Sequence, residues 1–270
     1  ASAFRYQDYY DNRHRCYAGV AGIGIDAKLQ AAIQASDLLI VVGARMGEMT
    51  TGGYTLLDIP NPKMPFVHVH PSSDELGTVY RADLPIASTA AGFGAALDGL
   101  KITAKPGWKA WTADLKAAST AVLKPIPTPG AAKFEEIVRT MSEMLPADAI
   151  VCNGAGNYAA FLHRYFQYKG YRTCLAPTSG SMGYGLPAAI GGQFAAPKRR
   201  VVNVQGDGCF MMCAQELATA MQYKLPIVTV ISNNGMYGTI RMHQEKYYPA
   251  RVSGTELVNP DFAAFARSFG

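Results

Sequence analysis

Val201-Val202-Asn203-Val204-Gln205-Gly206-Asp207-Gly208 and, further along, Ile227-Val228-Thr229-Val230-Ile231-Ser232-Asn233-Asn234-Gly235 are two apolar runs that each end in a polar, glycine-containing turn. Between them, Phe210, Cys213, Leu217 and Met221 make the apolar stripe of a helix packed on a sheet, and Pro226 is placed to stop it. A strand, helix and second parallel strand form a right-handed crossover, so both strands end on the same edge of the sheet. That brings Asp207 and Asn234 together although they lie 27 positions apart. Outward from this unit, the apolar runs at 38–42, 66–70 and 149–152 suit buried parallel strands, and helical patterns at 28–35, 134–144 and 189–194 alternate with them. The alternation predicts an α/β protein with mainly parallel sheets. Lys124-Pro-Ile-Pro-Thr-Pro-Gly130 holds three prolines and a glycine, which neither helix nor central strand tolerates. The expectation is two doubly wound domains, 1–123 and 131–270, joined by a linker at 124–130.

With 49% hydrophobic and 17% charged residues over 270 positions, the chain is too apolar for a disordered protein. No apolar run approaches the roughly 20 residues that cross a bilayer, so no membrane partner is expected. Basic residues outnumber acidic ones by 25 to 20, but Lys198-Arg199-Arg200 is the one short basic run and has no interleaved aromatics. Nucleic acid is not favoured as a partner. Five scattered cysteines (Cys16, Cys152, Cys174, Cys209, Cys213) without a CxxC signal neither a disulfide framework nor zinc. The first ten residues show no signal-peptide pattern, and the expected surroundings are reduced and cytoplasmic.

The chemistry sits in the turns. An Asp207 carboxylate and an Asn234 amide oxygen are hard ligands suited to Mg²⁺ or Ca²⁺. Gly206 and Gly208 let the backbone approach an anion, and a helix starting near Phe210 would aim N–H groups and its positive end at the same point. A metal with a diphosphate is the natural occupant. Gly154-Ala-Gly-Asn-Tyr-Ala159 also matches the dinucleotide pattern GxGxxA, which suggests an NAD-dependent oxidoreductase as a rival. That reading needs an acidic residue about 20 positions on, and 172–180 contains none.

Gly206-Asp207-Gly208 followed by Asn233-Asn234 resembles the cofactor signature of thiamine diphosphate enzymes. The resemblance implies thiamine diphosphate and Mg²⁺, with the metal held by Asp207, Asn234 and the Met236 main-chain carbonyl, and with Gly208, Cys209, Tyr237 and Gly238 lining the cofactor. Ser179-Gly180-Ser181-Met182-Gly183-Tyr184-Gly185-Leu186-Pro187-Ala188-Ala189 is similar to the GxMGxGLPAA segment of acetolactate synthase-like members. It implies that Met182 is the wedge that folds the cofactor into a V and that the Gly180 carbonyl bonds its aminopyrimidine amine. By the same resemblance, Gly156, Asn157 and Tyr158 lie near the phosphates, where typical acetolactate synthases carry Gln-His in place of Asn-Tyr.

Leu38-Leu-Ile-Val-Val-Gly-Ala-Arg45 and Phe66-Val-His-Val-His-Pro71 resemble the middle domain of the same family, whose GAR turn contacts FAD in flavin-bearing members. His70 and Thr89 stand where that family has acidic residues, which weighs against FAD. His68 and His70, without a third ligand, read as structural. The implied reaction is decarboxylation of a small 2-keto acid with carbon–carbon bond formation, in a homodimer or homotetramer whose active site lies at a subunit interface. The family's catalytic Glu belongs to a separate N-terminal domain that no segment here matches, and Glu216 is in the wrong place for it. The chain therefore reads as the last two-thirds of a three-domain enzyme, clipped at both ends. His243 replaces a Trp of biosynthetic acetolactate synthases, and the Asn-Asn-Gly-Met-Tyr-Gly run is also similar to benzoylformate decarboxylase, so a related 2-keto acid decarboxylase is an alternative. A non-catalytic thiamine diphosphate-binding protein is another.

Overall fold

The computed structural model describes residues 1–101, 103 and 107–270 of the chain. It divides into two compact units, Ala1–Phe4 with His14–Val122 and Arg5–Arg13 with Leu123–Gly270. Both are α/β, and the paired strands in the described residues all run parallel.

In the first unit β1 (Ser2–Ala3) pairs with β2 (Val20–Ala21). After α1 (Ala27–Gln34), the strands β3 (Leu39–Val42), β4 (Phe66–His70) and β5 (Leu84–Ala87) form a sheet in that order. Asp26 starts α1 by accepting the Lys28 and Leu29 N–H groups at 3.0 and 3.4 Å. Ile33, Leu39 and Val41 pack on a core of Leu56, Leu57, Met64, Phe66 and Tyr80. Strand alternation sends Ile40 and Val42 to the other face, where both are exposed, so β3 is covered on one side only. Helices α2 (Ala90–Asp98) and α3 (Lys109–Val122) follow.

The second unit runs α4 (Phe134–Met144), β6 (Ile150–Asn153), α5 (Ala159–Tyr165), β7 (Cys174–Leu175), α6 (Gly185–Ala195) and β8 (Val201–Gly206). It continues through α7 (Asp207–Met211), α8 (Leu217–Gln222), β9 (Val228–Ser232), α9 (Gly238–Tyr247) and α10 (Phe262–Arg267). The sheet order is β7-β6-β8-β9. Val151, Val202 and Val204 face α4 and α5 through Val138 and Leu162, while Ile150, Cys152 and Val201 face α6 through Ala189. Helices thus cover both faces, as in a doubly wound sheet. From β6 the chain steps out to β7 and returns past β6 to β8, so the winding reverses between β6 and β8. Ligands of such sheets bind outside the strand ends at this reversal.

The helix expected after the Gly206-Asp207-Gly208 turn departs from its sequence reading. It starts at Asp207 rather than near Phe210 and breaks after five residues, with Cys213 at φ −138°, ψ 23°. The break resets the helical phase, and Met221, read as part of the buried stripe, is 44% exposed. The second piece, α8, ends at Gln222, and Lys224 turns the chain at φ +52° before Pro226 is reached. Residues 124–130 have no helix or strand and lie along the second unit: Ile126 N–H donates to the Tyr165 hydroxyl at 3.2 Å, and Thr128 donates through N–H and O–H to buried Glu135 at 2.9 and 2.6 Å. These bonds hold the Glu135 carboxyl below the usual carboxylate range.

Candidate metal and diphosphate site

β8 is buried at all six positions despite carrying Asn203 and Gln205. With its amide oxygen turned toward α6, Gln205 accepts the Gly185 and Leu186 N–H groups at 2.9 and 3.2 Å, so a strand side chain satisfies donors that the start of a helix leaves open. The strand then delivers Asp207, 2% exposed, to the sheet edge. Its Oδ2 accepts Gly235 N–H from the turn after β9 at 2.8 Å and Asn259 Nδ2 at 2.7 Å. Asn259 Nδ2 also donates to Asn233 Oδ1 at 2.9 Å. The crossover therefore brings the two turns together, and Asn259, which sequence reasoning missed, clamps them.

Asn234 Oδ1 accepts Met236 N–H at 3.2 Å, and the Met236 carbonyl accepts Gly238 N–H at 3.0 Å. Tyr237 N–H donates to Thr255 O, and Met236 bridges Glu256, which pins this loop to the segment leading to Asn259. As a donor set for Mg²⁺ the residues fit. Both bonds to Asp207 fall on Oδ2, leaving Oδ1, and an amide or main-chain oxygen that accepts one hydrogen bond keeps a second lone pair. Among the described residues no cluster of three His, Cys, Asp or Glu side chains exists, so a cation here would draw on mixed oxygen ligands.

The glycines have a reason beyond approach of an anion. A Cβ on Gly206 would stand 2.9 Å from the Tyr158 ring, and one on Gly208 would stand 2.5 Å from the Tyr237 ring. Tyr158, expected beside phosphates, turns its side chain inward under the loop: its ring also crowds Gly156, and its hydroxyl donates to Cys209 Sγ at 3.3 Å. Burial pushes this hydroxyl well above its ordinary pKa, which keeps it a donor. Asn157 is exposed and tied to Thr239 of α9 by two bonds of 3.0 Å. Gly180 adopts φ +72° with open space where a Cβ would project, and Met182 is half-buried. Buried Cys209 accepts Gly183 N–H at 3.1 Å. Glu216 accepts the Thr219 hydroxyl at 2.8 Å beside the start of α8. His243 is exposed and stacks on Tyr247 with ring centroids 5.9 Å apart.

In the first unit, buried His68 donates through Nε2 to Ala44 O at 3.0 Å, Arg45 pairs with Glu75, and Thr89 Oγ1 accepts Gly92 N–H to cap α2.

The second unit is thus a doubly wound parallel α/β domain that carries an acid–amide pair at the ends of the adjacent strands β8 and β9, next to its winding reversal. Residues 154–270 match the C-terminal TPP binding domain of thiamine pyrophosphate enzymes and residues 1–100 match their central domain. The chain belongs to the thiamine pyrophosphate enzyme family. It is 33% identical over 270 residues to the acetolactate synthase large subunit of Parasynechococcus marenigrum (strain WH8102), covering 97% of this chain and 42% of that protein. It is 30% identical over 274 residues to an acetolactate synthase of Mycobacterium avium, covering 97% and 44%. A probable acetolactate synthase large subunit of Methanocaldococcus jannaschii is 31% identical over 273 residues, covering 95% and 45%. The chain thus spans less than half the length of these relatives. Among the described residues no helix is long and apolar enough to cross a membrane.

Proposed function

We propose that this chain holds the metal–diphosphate end of thiamine diphosphate in an acetolactate synthase-like enzyme that decarboxylates a 2-keto acid and forms a carbon–carbon bond. The observation that carries the reading is the Gly235 N–H bond to Asp207 Oδ2, which joins the Gly206-Asp207-Gly208 and Asn233-Asn234 turns at one sheet edge. Asp207 Oδ1, Asn234 Oδ1 and the Met236 carbonyl would hold Mg²⁺, and Gly156, Asn157 and Gly208 would lie beside the diphosphate. Met182 and the Gly180 carbonyl would orient the cofactor rings. Bound there, thiamine diphosphate supplies the electron sink that decarboxylation needs. The protein's part is to orient it and to exclude competing chemistry. The acid that acts on the pyrimidine ring would come from another domain, since Glu216 lies beyond the turn after β8 with its carboxylate bonded to the Thr219 hydroxyl. The central unit is assigned no flavin, because Thr89 is spent on α2 and His70 replaces an acidic side chain.

The test is consumption of pyruvate by the assembled enzyme with thiamine diphosphate and Mg²⁺. Release of CO₂ and acetolactate, abolished by Asp207→Ala, is expected. Intact pyruvate with the wild-type protein overturns the acetolactate assignment.

A further inference from the structure

We propose that Cys209 is a positioning residue whose thiol sets the height of the Met182 loop above the diphosphate turns, an inference that rests on the thiamine diphosphate reading of the site. The side chain is 2% exposed. Its sulfur accepts Gly183 N–H at 3.1 Å and the Tyr158 hydroxyl at 3.3 Å. Gly183 directly follows Met182, Tyr158 closes the turn after β6, and Cys209 itself lies in α7 just past β8. One buried atom therefore links the three segments that converge where the winding reverses.

The packing around the sulfur leaves these segments no slack. A Cβ on Gly154 would stand 2.2 Å from Cys209 Sγ. Gly183 has φ +80°, and a Cβ there would stand 2.9 Å from Cys213 Sγ and 3.3 Å from Met212 Cβ. The Met182 loop is thus blocked from moving toward α7 by the break in the helix. It is kept from moving away by the N–H···S bond, because a buried amide without an acceptor is unfavourable. Cys209 acts through Gly183 and Tyr158, and its side chain needs no contact with substrate.

Hydrogen exchange resolved to single amides, on the wild type and on Cys209→Ala and Cys209→Ser, tests this without requiring turnover. The wild-type Gly183 amide is expected to exchange at least about tenfold more slowly than that of exposed Ser181. Cys209→Ala should speed Gly183 about tenfold while β6 and β8 amides hold, and Cys209→Ser should restore protection because a hydroxyl still accepts. In the assembled, cofactor-loaded enzyme, Cys209→Ala should lower kcat about tenfold with KM for the keto acid within about twofold, since ring placement and not substrate capture changes. Unchanged Gly183 exchange in Cys209→Ala, or an unchanged kcat, overturns the proposal. If Cys209→Ala fails to fold, the wild-type comparison decides alone, and a Gly183 amide as fast as Ser181 sinks it. Loss of thiamine diphosphate binding by the wild type, with the exchange pattern intact, would instead strike the cofactor reading beneath it.

Discussion

Asn259 reaches the Asp207 carboxylate from 52 positions further along the chain and holds one oxygen while leaving the other. Partners that orient a metal-binding carboxylate typically change metal affinity by 10–100-fold when removed. Asn259→Leu is therefore expected to weaken Mg²⁺ by at least about tenfold with little change in fold, read by titrating Mg²⁺ against thiamine diphosphate binding; an unchanged midpoint would contradict it. His163 makes a different kind of prediction. Burial, reinforced by the Arg5 charge, lowers its pKa to about 4, and Nδ1 is 2.7 Å from Gln7 Nε2. The unfolded chain takes up this proton near pH 6.5 and the folded chain only near 4, so stability is full above about 6.5 and falls as pH drops toward 4. The loss is of order 3 kcal/mol, and His163→Gln should flatten that limb of the pH–stability profile. The chemical identity of Asp207 and Asn234 was readable from residue type and spacing. The service of Asn259 was not, because an Asn before Pro260 signals a turn and says nothing of its distant partner.

At the scale of elements, β8 shows how a polar strand can be central. Its Gln205 satisfies the first N–H groups of α6 from inside the sheet, so Gln205→Leu, though more apolar, should destabilise by about 1–3 kcal/mol in chemical unfolding; an unchanged midpoint would remove this capping role. β3, β4, β6, β8 and β9 were legible to within a residue or two because buried parallel strands are continuous apolar runs, whereas the short β1, β2 and β7 and the Pro-containing β5 were not read. The break between α7 and α8 was not legible. Phe210, Cys213 and Leu217 keep helical spacing, yet the chain kinks where the Gly183 main chain runs so close that a Cβ there would stand 2.9 Å from Cys213 Sγ. A contact from 30 positions upstream leaves no mark on local periodicity.

For the whole molecule, the split into two units follows contacts rather than chain order. Arg5–Arg13 belongs to the second unit, where buried Asp8 accepts the Thr173 and Cys174 N–H groups at 2.9 and 3.1 Å and Asn12 exchanges bonds with Tyr168. Two-unit chains need not unfold in one step. Asp8→Ala should lower the transition reported by second-unit amides by about 1–3 kcal/mol while first-unit amides such as those of β4 keep theirs, a pattern hydrogen exchange can resolve. Equal effects in both units would mean that the segment serves the chain as a whole. What the sequence by itself determined is the α/β class, the positions of the longer apolar strands and the residue chemistry of the two turns, since periodicity, turn residues and ligand type are local properties. The tertiary structure decided the clamp by Asn259, the inward Tyr158, the kink after Met211 and the placement of residues 5–13. Each of these depends on which distant backbone donor or apolar surface lies within a few ångströms, and only the packed chain sets such distances.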